Sequence, residues 1–287
     1  MKAEHHSLFS MGTRLDLVIA GASREQSDAV AAGVKAECER IEGMLSIYRG
    51  GSPVSLLNSS AHQGWMKVDR ELYSLLEEIM SYHHETGGYF DITMKPVADF
   101  HKEHPGTAID VDGETREKAG MDLVLLGADS VRFARKGVFL DLGGFGKGYA
   151  VKKMLPILDR HGIRHALISF GESLVYGWGS HPYGEAWQIT VPWEGNERPF
   201  RFKLRDEALS TSGNSLNNQK KFANSGHIVN PLTLQMCRQR GLVSVKAGDP
   251  VRCEVYSTAL FSAGPGKAAA ILKDASDLEV RWIGWGT

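Results

Sequence analysis

The chain has 287 residues, 42% of them hydrophobic, and its 33 basic and 34 acidic side chains give a formal net charge of −1. This composition can form a full hydrophobic core, and its balanced charge provides no field that would favour nucleic acid or an anionic membrane. We therefore expect a small-molecule ligand and no nucleic-acid partner.

The amino terminus lacks the pattern of a secretory signal peptide, and no stretch approaches the roughly 18 apolar residues of a membrane span. As given, the chain is therefore expected to be cytoplasmic and to have no membrane span; a periplasmic location is the alternative if the chain has been trimmed. The cysteines, Cys38, Cys237 and Cys253, form no CxxC pair and are expected to be reduced.

Periodic patterns predict the amino-terminal elements. Residues 14–20 alternate polar and apolar side chains, as a β-strand does. Ser23 followed by Gln26 matches a capping box and predicts a helix start near Arg24. A second helix is predicted from Arg70 to about Glu85, because its apolar residues share one face.

Strand patterns dominate the middle of the chain, at residues 137–142, 164–170, 187–193, 200–204 and 241–247. A helix is predicted from Lys147 to about His161, in which Pro156 should break or kink the second half. Helix patterns at residues 253–263 and 265–275 precede a final strand. Because strands and helices do not alternate regularly, we predict an α+β fold with mixed, largely antiparallel sheets flanked by helices. Residues 1–287 are expected to form a single compact domain that could have two lobes.

The segment DLGGFGKGYA, residues 141–150, is rich in glycine and opens the predicted helix. Four glycines in six positions let the backbone approach a ligand, and Lys147 adds a positive charge near the helix start. The pattern is neither GxxxxGK[ST] nor GxGxxG. On these residues alone, an anion-binding turn and an ordinary tight turn remain equally open.

Three polar side chains share one face of the predicted carboxyl-terminal helix: Glu254, Ser257 and Thr258, at i, i+3 and i+4. A carboxylate and a hydroxyl at this spacing can share Mg²⁺, which completes its coordination with waters and substrate phosphates. A solvated helix face is the alternative. His227, in a polar loop, could act as a general base or simply be solvated.

Taken in order, these segments resemble the ApbE family of FAD:protein FMN transferases, and the resemblance covers most of the chain. The matching segments are SLFSMGTRLDLVI, IEGMLSIYRGGSPVSLLN, TGGYFDITMKPV, DLGGFGKGYAV, STSGN, GHIVNP and EVYSTALF. The resemblance implies an ApbE-like fold, related to the T-fold, and a protein that uses Mg²⁺ and transfers FMN from FAD to a threonine of an acceptor protein. A phosphoester bond would form and AMP would be released.

The resemblance also implies roles for particular residues. Glu254, Thr258 and the carbonyl group of Gly146 would hold the metal. His227 would assist removal of the threonine proton, so His227 and Thr258 are the implied catalytic residues. The residues implied for FAD are Met11, Tyr48, Asp91, Lys147, Glu172, Ser212 and His227.

Departures from the family pattern leave two alternatives open. Glu254 and Glu172 stand where the family usually has aspartate, and the residues after Asn230 lack the usual Arg-Thr-Gly. The alternatives are Mg²⁺-dependent hydrolysis of FAD to FMN and AMP, and FAD binding without catalysis. The chain contains no Asp-x-x-Ser/Thr-x-Ala-Thr acceptor sequence, so any acceptor is expected to be another polypeptide.

Overall fold

The computed structural model describes residues 1–105, 110–193, 200–214 and 228–285. Their strands are β1 (Ala3–Ser10), β2 (Thr13–Ala20), β3 (Met66–Lys67), β4 (Val124–Leu126), β5 (Ser130–Phe133), β6 (His165–Phe170), β7 (Leu174–Gly179), β8 (Trp187–Val191), β9 (Phe200–Leu204), β10 (Glu207–Asn214), β11 (Val229–Asn230), β12 (Gln235–Met236), β13 (Gly241–Ala247) and β14 (Glu279–Ile283). A seven-stranded sheet with the order β1-β2-β6-β7-β10-β13-β14 forms the centre, and all its neighbouring strands are antiparallel.

The described residues contain eight helices, of which two were predicted in the amino-terminal part of the chain. They are α1 (Arg24–Leu45), α2 (Pro53–Ser60), α3 (Arg70–Glu85), α4 (Lys95–Glu103), α5 (Gly113–Arg116), α6 (Gly146–Arg160), α7 (Pro250–Ala263) and α8 (Ala268–Ile271). The hydroxyl group of Ser23 accepts the N–H of Gln26 at 3.1 Å, so the predicted cap fixes the start of α1. Helix α3 has the predicted bounds.

The two faces of the central sheet bury different clusters. Apolar residues of β2 lie in one core together with those of α1, α6 and α7. On β10, Ala208 belongs to this helix-side core, whereas the next residue, Leu209, packs with the β8–β9 hairpin. Because successive strand residues point to opposite faces, the hairpin covers the face that the helices leave open.

The strand predicted at residues 137–142 is wrong. Its apolar residues are buried alternately, as in a strand, but their backbone does not join a ladder. Leu140 instead donates its N–H to the side-chain oxygen of Asn58 at 2.7 Å, and the Asn58 amide donates to the Leu140 carbonyl at 3.0 Å. The N–H of Asp141 donates to the carbonyl of Ile92 at 2.7 Å. A side-chain amide therefore takes the place of a partner strand.

Two helix predictions need correction as well. Of the break or kink predicted at Pro156, the break does not occur, because α6 continues to Arg160. Met154 and Leu158 are fully buried on either side of the proline, so packing offsets its missing hydrogen bond. The helix predicted at 265–275 is shorter, with a 3₁₀ turn followed by the four-residue α8.

The cysteines and the helices can be compared with the predictions of reduced thiols and of no membrane span. All three cysteines are buried and unpaired, and burial raises the pKa of Cys38 to about 12 and that of Cys237 to about 11. These thiols are therefore poor nucleophiles. None of the helices in the described ranges has the length and apolar character that crossing a bilayer requires.

Candidate active-site cleft

A cleft of about 800 Å³ lies where the glycine-rich turn, α4, α7 and the end of β10 come together. It is lined by residues from separate parts of the chain. Those predicted from the sequence are Tyr48, Asp91, Lys147, Ser212, Glu254 and Thr258. The fold therefore brings together most of the side chains that the resemblance assigned to one site.

The glycines of the turn allow α6 to touch α7. A Cβ atom on Gly148 would lie 2.7 Å from the carbonyl oxygen of Pro250 and 2.9 Å from the Cα of Val251, closer than such contacts permit. A Cβ on Gly144 would lie 3.6 Å from the hydroxyl oxygen of Thr258. The turn and the carboxyl-terminal helix therefore meet in space, although more than a hundred positions separate them in the chain.

Glu254 joins these two elements through both of its carboxylate oxygens. The side chain is 5% exposed and forms an ion pair with the ammonium group of Lys147 through Oε1. Its Oε2 accepts the N–H of Gly148 at 2.6 Å. The Lys147 ammonium also donates to the carbonyl of Gly143 at 3.2 Å. The carboxylate on α7 is thus held by the first turn of α6.

A group of hydroxyls connects α7 to β10. Thr258 and Ser257 both donate to the backbone carbonyl of Glu254, at 3.0 and 3.1 Å. The hydroxyl oxygens of Ser210 and Ser212 each lie 2.9 Å from that of Ser257, which is fully buried. Ser257, which shares the predicted face of α7, therefore fixes Ser212 at the cleft instead of facing solvent.

The oxygen atoms here fit a divalent ion that is shared with a substrate. The Glu254 carboxylate, the Thr258 hydroxyl and the Gly143 carbonyl are donors of the kind that Mg²⁺ prefers, and Mg²⁺ needs few protein ligands when phosphates supply the others. No cluster of three His, Cys, Asp or Glu side chains suited to a metal occurs among the described residues. The oxygen donors of the cleft therefore suit a divalent ion whose other ligands come from a phosphate.

The other predicted site residues lie around the cleft or away from it. Met11 packs behind the start of α6, since a Cβ on Gly146 would lie 2.8 Å from its terminal methyl carbon. The side chain of Glu172 is 85% exposed and lies 3.7 Å from Arg14, and it does not line the cleft. His227 lies outside the described residues.

Asp91 is a buried carboxyl group in the cleft wall. Its Oδ1 accepts the N–H of Thr93 at 2.7 Å and the Thr93 hydroxyl at 2.6 Å. Burial raises the pKa of Asp91 above its ordinary value, while the hydrogen bonds from Thr93 oppose the shift. The nearest nitrogen of His83 lies 4.0 Å from Oδ2. The cleft therefore contains a carboxyl group that binds a proton more tightly than aspartate in water does.

Glu42 connects two segments near the cleft through contacts that sequence reasoning missed. Its Oε2 accepts the N–H of Met11 at 3.0 Å and the hydroxyl of Ser10 at 3.2 Å. Its Oε1 pairs with the guanidinium of Arg49 at 3.1 Å. One carboxylate thus ties the β1–β2 turn to the segment that carries Tyr48.

Glu71 joins α3 to α1 and α6. It forms a bidentate pair with Arg40 and accepts the hydroxyl of Tyr149 at 2.6 Å. The hydrogen bonds from Arg40, assisted by Tyr149 and the nearby Lys153, lower the pKa of Glu71 from 4.5 to about 2. Because the folded-state pKa is depressed, the stabilisation is fully present above about pH 4.5 and is lost as the pH falls towards 2.

Comparison with known proteins decides the family. The sequence model of the ApbE family matches residues 11–282 of the chain. The protein belongs to the ApbE family. This finding confirms the family inferred from the order of the seven motifs.

Relatives of this ApbE-family protein match along most of their length. It is 25% identical over 282 residues to an FAD:protein FMN transferase of Klebsiella pneumoniae, and the match covers 92% of this chain and 80% of that protein. It is 27% identical over 313 residues to the FAD:protein FMN transferase of Treponema pallidum, with 94% and 84% covered. The solved flavin transferase ApbE from Vibrio cholerae has a TM-score of 0.82 at 20% identity and covers 98% of this chain and 93% of its own. This likeness confirms the predicted α+β, ApbE-like fold.

Proposed function

We propose that the protein transfers FMN from FAD to an acceptor protein and releases AMP. The observation that carries this proposal is the meeting of the glycine turn, Lys147, Glu254 and Thr258 in one cleft. These groups offer positive charge, backbone approach and oxygen donors at one place, which is what a diphosphate and a divalent cation require. The activity named for the relatives from Klebsiella and Treponema supports the same reaction.

The residues of the cleft would divide the work of cleaving a diphosphate. Such cleavage depends on neutralising charge and aligning the attack. Lys147 would bind phosphate oxygens, and Glu254 and Thr258 would hold Mg²⁺ together with a backbone carbonyl of the glycine turn, at Gly143 or Gly146. Mg²⁺ would neutralise the charge that develops on the phosphates.

The nucleotide would lie along the cleft walls. Tyr48 is 88% exposed at the cleft and offers a ring face for stacking on an aromatic base or flavin. Asp91 and Ser212 line the cleft and would form hydrogen bonds with the nucleotide. Contacts of FAD with Met11 and Glu172 stay predictions of the sequence.

We propose a threonine hydroxyl as the acceptor group. Its oxygen would attack the flavin-side phosphorus and form a phosphoester bond, while the bridging P–O bond breaks and its electron pair leaves with AMP. The threonine proton would pass to His227, which stays a prediction. Such a step needs no covalent intermediate on the protein.

A gel assay tests the transfer directly. The protein is incubated with FAD, Mg²⁺ and a domain that carries an Asp-x-x-Thr-x-Ala-Thr sequence, and covalent flavin is detected by fluorescence after denaturing electrophoresis while AMP is quantified. We expect a fluorescent acceptor and an equal amount of AMP, and neither with an acceptor whose last threonine is replaced by valine. The Glu254→Gln variant should lose both products.

Other outcomes of this assay separate the alternatives. AMP formed at the same rate without an acceptor would indicate hydrolysis of FAD. FAD binding with no AMP under any divalent metal would indicate a protein that only binds the nucleotide, and either result would overturn the proposed transfer. The cytoplasmic location stays a prediction, and fractionation of cells followed by the same fluorescence readout would test it.

A further inference from the structure

We propose that Lys147 and the divalent cation compete for one oxygen, Oε1 of Glu254, so that metal binding releases the Lys147 ammonium towards the phosphates of the substrate. The inference rests on the proposed function and deepens it. It assigns Lys147 two positions and makes its movement the link between metal binding and FAD binding.

The two oxygens of Glu254 have partners of different kinds. Oε2 accepts a backbone N–H, that of Gly148, in the first turn of α6. The position of this N–H is fixed, because Gly148 packs directly on the backbone of Pro250. Oε1 pairs with the ammonium at the end of a flexible side chain. The carboxylate is therefore anchored through one oxygen and can change partner at the other.

The Lys147 ammonium lies among oxygen atoms that also suit a metal. Besides Oε1 it contacts the carbonyl of Gly143 at 3.2 Å. The next residue of the turn, Gly144, faces the hydroxyl of Thr258. A carboxylate, a carbonyl and a hydroxyl are the ligands that a hard divalent ion prefers. The ammonium and the ion would therefore occupy overlapping positions.

Charge and burial make simultaneous occupation unfavourable. Glu254 is 5% exposed and Lys147 is 20% exposed, so the carboxylate needs a positive partner at all times. A divalent ion beside the ammonium would add a strong repulsion at this poorly solvated position. Lys147 lines the cleft, and lysine is a point charge on a flexible stem, so it can turn towards a bound phosphate. Substrate and metal should therefore each strengthen the binding of the other.

Binding of Mn²⁺ in the absence of FAD tests the competition without using catalysis. Free Mn²⁺ is measured by electron paramagnetic resonance during titration of the protein. We expect Lys147→Gln to bind Mn²⁺ at least tenfold more tightly than the unaltered protein, whereas Lys147→Arg, which keeps the charge, should not gain affinity. Lys152→Gln is the matched control, because Lys152 lies on the same helix and pairs with Asp249 at 2.8 Å. Its Mn²⁺ affinity should change less than threefold.

The reciprocal measurement concerns FAD. Saturating FAD should tighten Mn²⁺ binding in the unaltered protein and much less in Lys147→Gln, because the phosphates no longer draw away a competing cation. Circular dichroism at the temperature of the titrations verifies that the variants are folded.

Several results would overturn the inference. Equal or weaker Mn²⁺ binding by Lys147→Gln would show that the lysine does not compete, and an equal gain in Lys152→Gln would assign the effect to general charge. If Glu254→Gln still binds Mn²⁺ as the unaltered protein does, the Glu254 carboxylate is not the ligand for which Lys147 and the ion compete. If Lys147→Gln gains affinity while no acceptor is ever labelled, the competition stands and the proposed transfer fails.

Discussion

Shortening Glu254 to aspartate tests what its additional methylene does in the structure. The carboxylate reaches the N–H of Gly148 at 2.6 Å and pairs with Lys147 at its other oxygen. Removing one carbon–carbon bond draws the carboxylate back by about 1.5 Å. Aspartate at this position could not keep both contacts, because the backbone of α6 already touches that of α7 at Gly148.

The expected loss follows from the hydrogen bond to Gly148. A hydrogen bond to a charged group contributes about 1.5–3 kcal/mol to the free energy of unfolding. For a large domain, each kcal/mol lowers the melting temperature by about 2–4 °C. We therefore expect Glu254→Asp to lower the melting temperature by about 3–12 °C.

Thermal unfolding followed by circular dichroism, at neutral pH with a chelator present, measures this change. Glu39→Asp is the matched control. Glu39 is also helical, but its side chain is 59% exposed and its ion pair with Lys35 is long, at 3.8 Å. It should shift stability by no more than about 0.5 kcal/mol. If Glu254→Asp melts together with the unaltered protein, the contact to Gly148 contributes nothing and the reasoning is refuted.

Three further predictions concern the frame of the site. Gly148→Ala should lower the free energy of unfolding in urea by about 1–3 kcal/mol, because a Cβ would meet backbone atoms of α7, whereas Gly43→Ala, a helical position with open space, should raise it by about 0.5–1 kcal/mol. Glu71→Gln should flatten the fall in stability between about pH 4.5 and 2, and should cost about 1 kcal/mol at pH 7 once solvent screening is allowed for. Glu42→Gln should weaken FAD binding about tenfold, measured by quenching of flavin fluorescence, because the turn at Met11 loses its charged acceptor.

Each of these predictions has a result that would contradict it. Unchanged stability of Gly148→Ala would mean that α6 and α7 are not in backbone contact. If Glu71→Gln and the unaltered protein lose stability in parallel as the pH falls, the ion pair between Glu71 and Arg40 does not contribute to the pH dependence. If Glu42→Gln binds FAD as tightly as the unaltered protein, the β1–β2 turn does not contribute to FAD binding.

Local patterns predicted the elements whose hydrogen bonds are local. The start of α1 follows from Ser23 and Gln26, because a cap is a contact between neighbours in sequence. The strand prediction at residues 137–142 was wrong because alternating apolar side chains indicate alternating burial, which does not require hydrogen bonds to a neighbouring strand. Its partner is the amide of Asn58, 82 positions away from Leu140, and periodicity carries no information about such a contact.

Six of the residues predicted for the site line one cleft and Glu172 does not, and the functional roles of all of them stay predictions. The order of the motifs indicated that the glycine turn and the carboxyl-terminal helix share a ligand, and the structure brings Gly144 and Thr258 together. Nothing in the sequence indicated that Lys147 would pair with Glu254, 107 positions away, or that Glu42 would hold the turn of Met11. These contacts depend on how helices pack, which residue spacing within one segment does not encode.

The glutamate at position 254 shows why a departure from a family pattern needs the structure for its interpretation. Judged from sequence, the longer side chain threatens the metal site, because it displaces a carboxylate that the ion requires at a defined distance. In the fold, one oxygen of that side chain is fixed by the N–H of Gly148, and the other is left facing the Lys147 ammonium and the cleft. The additional length is therefore used in joining two helices, and a carboxylate oxygen remains at the cleft. An aspartate in its place could not reach both the N–H of Gly148 and the Lys147 ammonium, whereas glutamate contacts both.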